Sequence, residues 1–208
     1  MSKVLWQPSE ENKKKSHLSN LINIVNEKFK LNLSTYSDIY DWSINNISDF
    51  WEIVWYDTNI LYSKKYTKVV DDILKMPGAK WFKSSKLNYS QNLLRNKSDN
   101  IAIEYYSENR MKGKISYIEL HELVSKVAYS FRKLGLKRGD RVAAVMPNVP
   151  ETIISMLAVS SIGAIWSSCS PDFGVSGVLD RFNQIKPKFL LSVDSYFFKG
   201  KKYQNLDK

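Results

Sequence analysis

Between Leu157 and Arg181 the chain reads LAVSSIGAIWSSCSPDFGVSGVLDR, and this stretch restricts the possible folds more than any other. An apolar helical run stops at Gly163, a short strand pattern begins with Ala164-Ile165-Trp166 and reaches about residue 168, and the polar, turn-prone segment Ser167-Ser168-Cys169-Ser170-Pro171-Asp172-Phe173-Gly174 opens a helix from about Gly174 to Ile185. A further strand, Phe189 to Val193, follows. Strands alternating with helices of this length predict parallel βαβ units joined by right-handed crossovers. Ligands of such sheets gather at loops leaving the carboxyl ends of strands, so the Ser/Cys/Pro/Asp/Gly loop is the first place to look for a site.

The alternation begins well upstream. Ile101 to Tyr106 reads as a strand, a loop is expected around Asn109 to Lys114, and Ile115 is extended. Ser116-Tyr117-Ile118-Glu119 matches a capping box, and Leu120, Leu123, Val124, Val127, Ala128, Phe131 and Leu134 then form an apolar stripe closed by Gly135. Arg141 to Met146 is the next buried strand, after which Asn148 is a candidate cap and Pro150 an early helical position.

The first half has a different grammar. One helix is expected from about residue 9 to 30, with further helical patterns starting near Ser34-Thr35 and Ser48-Asp49, a short helix over Val69 to Leu74 ended by Pro77-Gly78, and another over Asn88 to Arg95. The aromatic residues of these segments read as packing faces rather than stacking platforms. The polar run Asn96-Lys97-Ser98-Asp99-Asn100 marks a boundary, giving domains 1–97 and 98–208. Asp194 to Lys208 is polar and basic, with no closing element expected, so the series reads as incomplete.

Motifs exclude more than they assign. No phosphate-loop or dinucleotide fingerprint occurs, and a single cysteine with two distant histidines, His17 and His121, offers no metal-ligand set. Ser130-Phe131-Arg132-Lys133 fits an SxxK pattern, but inside an amphipathic helix, where surface chance explains it. Cys169 reads as a small buried hydrophobe. The net charge of +10 comes mostly from lysines scattered along the chain, which argues against a nucleic-acid partner. No apolar run reaches membrane-spanning length and the start lacks a signal-peptide core, so a cytoplasmic protein without a membrane partner is expected. Lys199 and Lys201 flank Gly200 after the last strand, an arrangement that suits a phosphate group or, more plainly, an exposed turn.

The block Gly139-Asp140-Arg141-Val142 with Met146-Pro147-Asn148, Pro150-Glu151 and Met156-Leu157-Ala158 resembles the adenylate-forming acyl-CoA synthetases. Tyr40-Asp41-Trp42-Ser43 and Met76-Pro77-Gly78-Ala79-Lys80-Trp81-Phe82 resemble the N-terminal domain of that family's acetyl-CoA synthetase group. Gly163 to Gly174, followed by Gly177-Val178-Leu179-Asp180-Arg181-Phe182, and the opening Val4-Leu5-Trp6-Gln7-Pro8-Ser9, are most similar to its acetoacetate-activating branch. The resemblance implies an α/β fold in which a helical lead-in precedes the start of the large adenylate-forming domain. It implies acetoacetate as substrate, with ATP, CoA and Mg2+, and an acyl-adenylate intermediate. It places Phe198, Lys199, Gly200 and Lys201 where relatives hold the 3′-phosphate end of CoA, although those relatives commonly carry arginine there. No catalytic or metal residue is implied within this chain, because the family's phosphate loop, ribose-binding aspartate and adenylation lysine lie downstream. The 208 residues alone are therefore expected to be inactive. An acetyl- or propionyl-type synthetase and a non-catalytic CoA- or partner-binding module remain the alternatives.

Overall fold

The computed structural model describes residues 5–108 and 112–206. Val4 of the opening motif and residues 109–111 of the expected loop lie outside them. The chain divides into two compact units, one ending at Lys86 and the other beginning at Leu87.

The first unit is mainly helical. Where one helix was expected there are two, α1 (Glu10–Lys14) and α2 (His17–Phe29), because Ser16 leaves the helix and its side chain accepts from the Ser19 N–H. A serine hydroxyl offers the backbone this alternative at low cost, so the chain restarts rather than continues. Thr35 caps α3 (Tyr36–Asn45) through a capping box with Asp38, and α4 (Ile47–Asp57) follows. Ile22, Val25, Ile39 and Ile53 close a small core among these helices. Val69 to Leu74 does not form a helix. Lys68–Val70 is strand β1, paired antiparallel with β2 (Trp81–Lys83), since the β-branched pair Val69-Val70 is buried in the extended form. Trp55 packs against Tyr62, Tyr66 and Phe82 at ring-centroid distances of 5.4, 5.1 and 4.7 Å, which is core packing as expected. Trp51 and Tyr40 stay partly exposed.

The second unit opens with α5 (Tyr89–Leu93), capped by Asn88. The buried Ser90 hydroxyl then donates to the Leu157 carbonyl at 2.6 Å, fixing α5 to a helix far along the chain. Strands β3 (Ile101–Tyr106) and β4 (Lys112–Ser116) pair antiparallel and lead into α6 (Tyr117–Lys133). The capping box is present, and Leu120, Val124, Ala128 and Phe131 bury the expected stripe while Leu123 and Leu134 stay exposed. Each large apolar side chain so buried stabilises the fold by about 1.5–3 kcal/mol.

The series β5 (Arg141–Val145), α7 (Pro150–Ile162), β6 (Ile165–Cys169), α8 (Val175–Ile185) and β7 (Phe189–Ser192) builds a parallel sheet of order β6-β5-β7. Successive residues of β5 face opposite sides: Val142 packs with α6 and α7, whereas Ala143 and Val145 pack with Phe182 of α8. Both faces are therefore covered, as an all-parallel sheet requires. Val149 rather than Asn148 is the N-cap of α7, with Pro150 at the first helical position. Beyond β7 the chain adds a hairpin, β8 (Ser195–Phe198) and β9 (Lys201–Gln204), in place of the irregular tail the sequence suggested. Tyr196 and Asn205 supply the burial that the polar composition hid.

Candidate functional site

The three parallel strands end together, at Val145, Cys169 and Ser192. The segment after β6 is held by contacts within itself. Its Ser170 and Asp172 side chains bond to each other at 2.9 Å, Pro171 is fully buried, and the Arg181 guanidinium lies 4.1 Å from the centre of the Phe173 ring. Burial raises the pKa of the partly buried Cys169 thiol, against a weaker opposing pull from Arg181, so it is held as a neutral thiol.

The links after β5 and β7 border a cleft of about 660 Å³. Met146, Asn148 and Glu151 line one side, and Asp194, Phe197 and Lys202 line another, with Tyr106 at the end of β3 and Glu108 two residues beyond it. The hairpin β8–β9 is tied to the loop after β6 by Tyr196, whose hydroxyl lies 3.4 Å from the Pro171 carbonyl. Burial first, and the neighbouring Asp172 carboxylate second, raise the Tyr196 pKa, so the hydroxyl stays a neutral donor.

Phe198, Lys199, Gly200 and Lys201 form the tip of this hairpin. Phe198 pairs with Lys201, leaving Lys199 and Gly200 as a two-residue turn with φ of 50° and 73°. Positive φ at both positions is the geometry whose twist suits a tight hairpin. All four residues are exposed, and Lys199 Nζ stands 5.2 Å from the centre of the Phe198 ring. Strand alternation separates the lysines. The Phe197–Lys202 pair borders the cleft, so Phe198 and Lys201 belong to the opposite face. The sequence singled out Lys201, and Lys202 is the neighbour that reaches the cleft. Only the strand register, hidden in a polar tail, could have shown this. Glu108 was also missed; its Oε2 accepts from the Gly200 N–H at 2.8 Å.

A smaller apolar cavity, about 200 Å³, lies between α8 and β7, lined by Val145, Phe173, Val178, Leu179 and Leu190. Asn205 borders it, donating to Ser192 Oγ at 2.8 Å while its buried Oδ1 has no partner. Elsewhere, Ser130 Oγ donates to the Lys126 carbonyl on the exposed side of α6, so the SxxK match is a surface coincidence. His121 is half-buried on the same helix. Among the described residues no group of three His, Cys, Asp or Glu could hold a metal ion.

Comparison with known proteins brings these features into one frame. The family model described as AMP-binding enzyme matches residues 91–207, more than half of the chain, and one described as acetyl-coenzyme A synthetase N-terminus matches residues 36–93. The acetoacetyl-CoA synthetase of Xenopus tropicalis is 44% identical over 213 residues, an alignment covering 100% of this chain and 31% of that protein. That of Gallus gallus is 42% identical, with 100% and 31% covered. The structure of acetoacetyl-CoA synthetase from Streptomyces lividans superposes with a TM-score of 0.91 at 32% identity, over 99% of this chain and 32% of that one. The chain thus spans about a third of the length of the relatives it matches.

Proposed function

The chain belongs to the AMP-binding enzyme family, and from that premise we propose that it forms the N-terminal part of an acetoacetate–CoA ligase. The observation that carries this reading is that the likeness to acetoacetate-activating relatives runs the whole length of the chain, through both compact units. In the first step of the proposed reaction an acetoacetate oxygen bonds to the α-phosphorus of ATP and pyrophosphate leaves. In the second, the CoA sulfur bonds to the acyl carbon and AMP leaves. Magnesium would neutralise phosphate charge in the first step; no residue of this chain is assigned to it, nor to the chemistry of adenylation.

Residues 1–97 serve in this reading as an acetyl-CoA-synthetase-like N-terminal domain and 98–208 as the first part of the adenylation domain, in a cytoplasmic enzyme. The part assigned to the second unit is to receive CoA. The Phe198–Lys201 tip carries two lysines around a glycine turn, a composition that suits a phosphate monoester once the Gly200 N–H is released from Glu108. Lysine makes point-charge contacts where arginine would make a bidentate fork, so the phosphate is held by charge more than by geometry.

ATP–pyrophosphate exchange by the product of the whole reading frame, run in parallel with acetoacetate, acetate and propionate, tests the substrate. Exchange with acetoacetate above the other two is the expected result. Exchange with acetate or propionate but not acetoacetate overturns the assignment, and exchange by the 208-residue chain alone overturns the placing of adenylation outside it.

A further inference from the structure

The Gly200 backbone donor at the β8–β9 tip is already occupied. The Gly200 N–H donates to Glu108 Oε2 at 2.8 Å, and Glu108 lies two residues beyond β3, far from the hairpin in sequence. The lysines nearby are not what holds this carboxylate. Among the described residues none of Lys199, Lys201 and Lys202 lies within 4.0 Å of a carboxylate oxygen in an ion pair, and Lys199 Nζ is parked over the Phe198 ring at 5.2 Å. Among the described residues, Lys199 and Lys201 thus flank, without an ion pair, a turn whose N–H is capped by an anion from elsewhere in the unit.

A carboxylate oxygen and a phosphate oxygen make the same demand on an amide donor: each is a charged acceptor forming a short, charge-assisted hydrogen bond. They differ in charge. A phosphate monoester carries close to two negative charges at neutral pH, a phosphodiester or a carboxylate one. Beside the positive charge of Lys199 and Lys201, the dianion gains more at the turn than a single carboxylate does, whereas a monoanion gains no advantage over it. We propose that Glu108 is an internal anion latch. It holds the β8–β9 turn in its binding shape when the site is empty, and it yields the Gly200 N–H only to a dianionic phosphate monoester. The latch sets a threshold at the turn, favouring monoesters over diesters, and lowers the affinity for either.

This inference rests on the assignment of the hairpin tip to a phosphate group, and the experiment separates the two. The 208-residue chain, labelled with nitrogen-15, is titrated with adenosine 3′,5′-bisphosphate as probe, alongside Glu108→Gln, Glu108→Ala and the double change Lys199→Ala with Lys201→Ala. Glu108 is exposed, so its replacement leaves the core intact. Without probe, Glu108→Ala is expected to shift the Gly200 amide resonance and speed its hydrogen exchange. With probe, Glu108→Gln is expected to bind roughly three- to tenfold tighter than the parent, the scale of one exposed like-charge removal. The lysine change is expected to weaken binding. If Glu108→Gln binds with unchanged or lower affinity while the lysine change weakens it, the turn takes phosphate and the latch is wrong. If parent and Glu108→Gln both fail to bind, or the lysine change has no effect, the phosphate assignment falls and the latch with it.

Discussion

Lys199 holds a φ of 50° in a turn where glycine, asparagine or aspartate is the cheaper occupant. The backbone would be more relaxed with asparagine, so conformation does not account for lysine here, whereas the proposed phosphate contact would. Lys199→Asn is therefore expected to raise stability by about 0.5 kcal/mol in urea denaturation while weakening binding of CoA. A loss of stability, or unchanged CoA binding, removes the argument. Gly200 gives the complementary case. Nothing lies within 4 Å of the position a Cβ would take, so Gly200→Ala meets open space and only its φ of 73° resists. The cost expected is about 1–2 kcal/mol, entirely of backbone origin, and a cost near zero would mean that the turn relaxes to another type.

Elements show where the sequence was legible. The start of α6 was readable because its signal is local: Ser116 Oγ accepts from the Glu119 N–H at 3.3 Å, and Glu119 Oε2 accepts from the Ser116 N–H at 2.7 Å. Ser116→Ala should cost about 1 kcal/mol of stability, read as a lower midpoint in urea. These hydrogen bonds also lower the Glu119 pKa from its ordinary 4.5, the Ser116 N–H being the largest cause. A depressed folded-state pKa gives stability that is present above pH 4.5 and is lost as pH falls through the lower, folded value. Ser116→Ala keeps that N–H bond to the carboxylate and loses only the 2.9 Å Oγ–Oε2 bond to it, so its penalty should shrink only slightly in acid, whereas Glu119→Gln should remove this part of the pH dependence. Parent-like pH dependence in Glu119→Gln would show that the box does not act through the Glu119 carboxylate. What the sequence hid was set by distant partners. β1 is a strand because β2 pairs with it, and Val69-Val70 alone reads equally as the start of a helix. The β8–β9 hairpin lacks periodicity in its polar letters, and its order comes from Tyr196 packing under Pro171. Phe198, Lys199, Gly200 and Lys201 were named for a phosphate by resemblance alone, and the face each lysine takes came only from the strand register, as the Glu108 contact came only from the structure.

At the scale of the whole molecule, the two units each close a core of their own, one around Ile22, Val25, Ile39 and Ile53 and the other around the α6 and α7 stripe on the sheet. Tryptophan is distributed unevenly between them: Trp6, Trp42, Trp51, Trp55 and Trp81 lie in the first unit and Trp166 in the second. Fluorescence therefore reports mainly the first unit, whereas far-ultraviolet dichroism weighs the helices of both. Separate cores predict that the two probes do not trace one transition. Ile53→Ala makes the test specific, since the side chain is 3% exposed and its truncation should cost the first unit about 2–4 kcal/mol. The fluorescence midpoint in urea is expected to fall by the amount that cost implies, while the dichroism curve gains an early phase and keeps its late one. If both probes instead move together by the full amount, the units unfold as one. Stability would then belong to the whole chain, and a change in the helical first unit would be felt directly at the hairpin of the second.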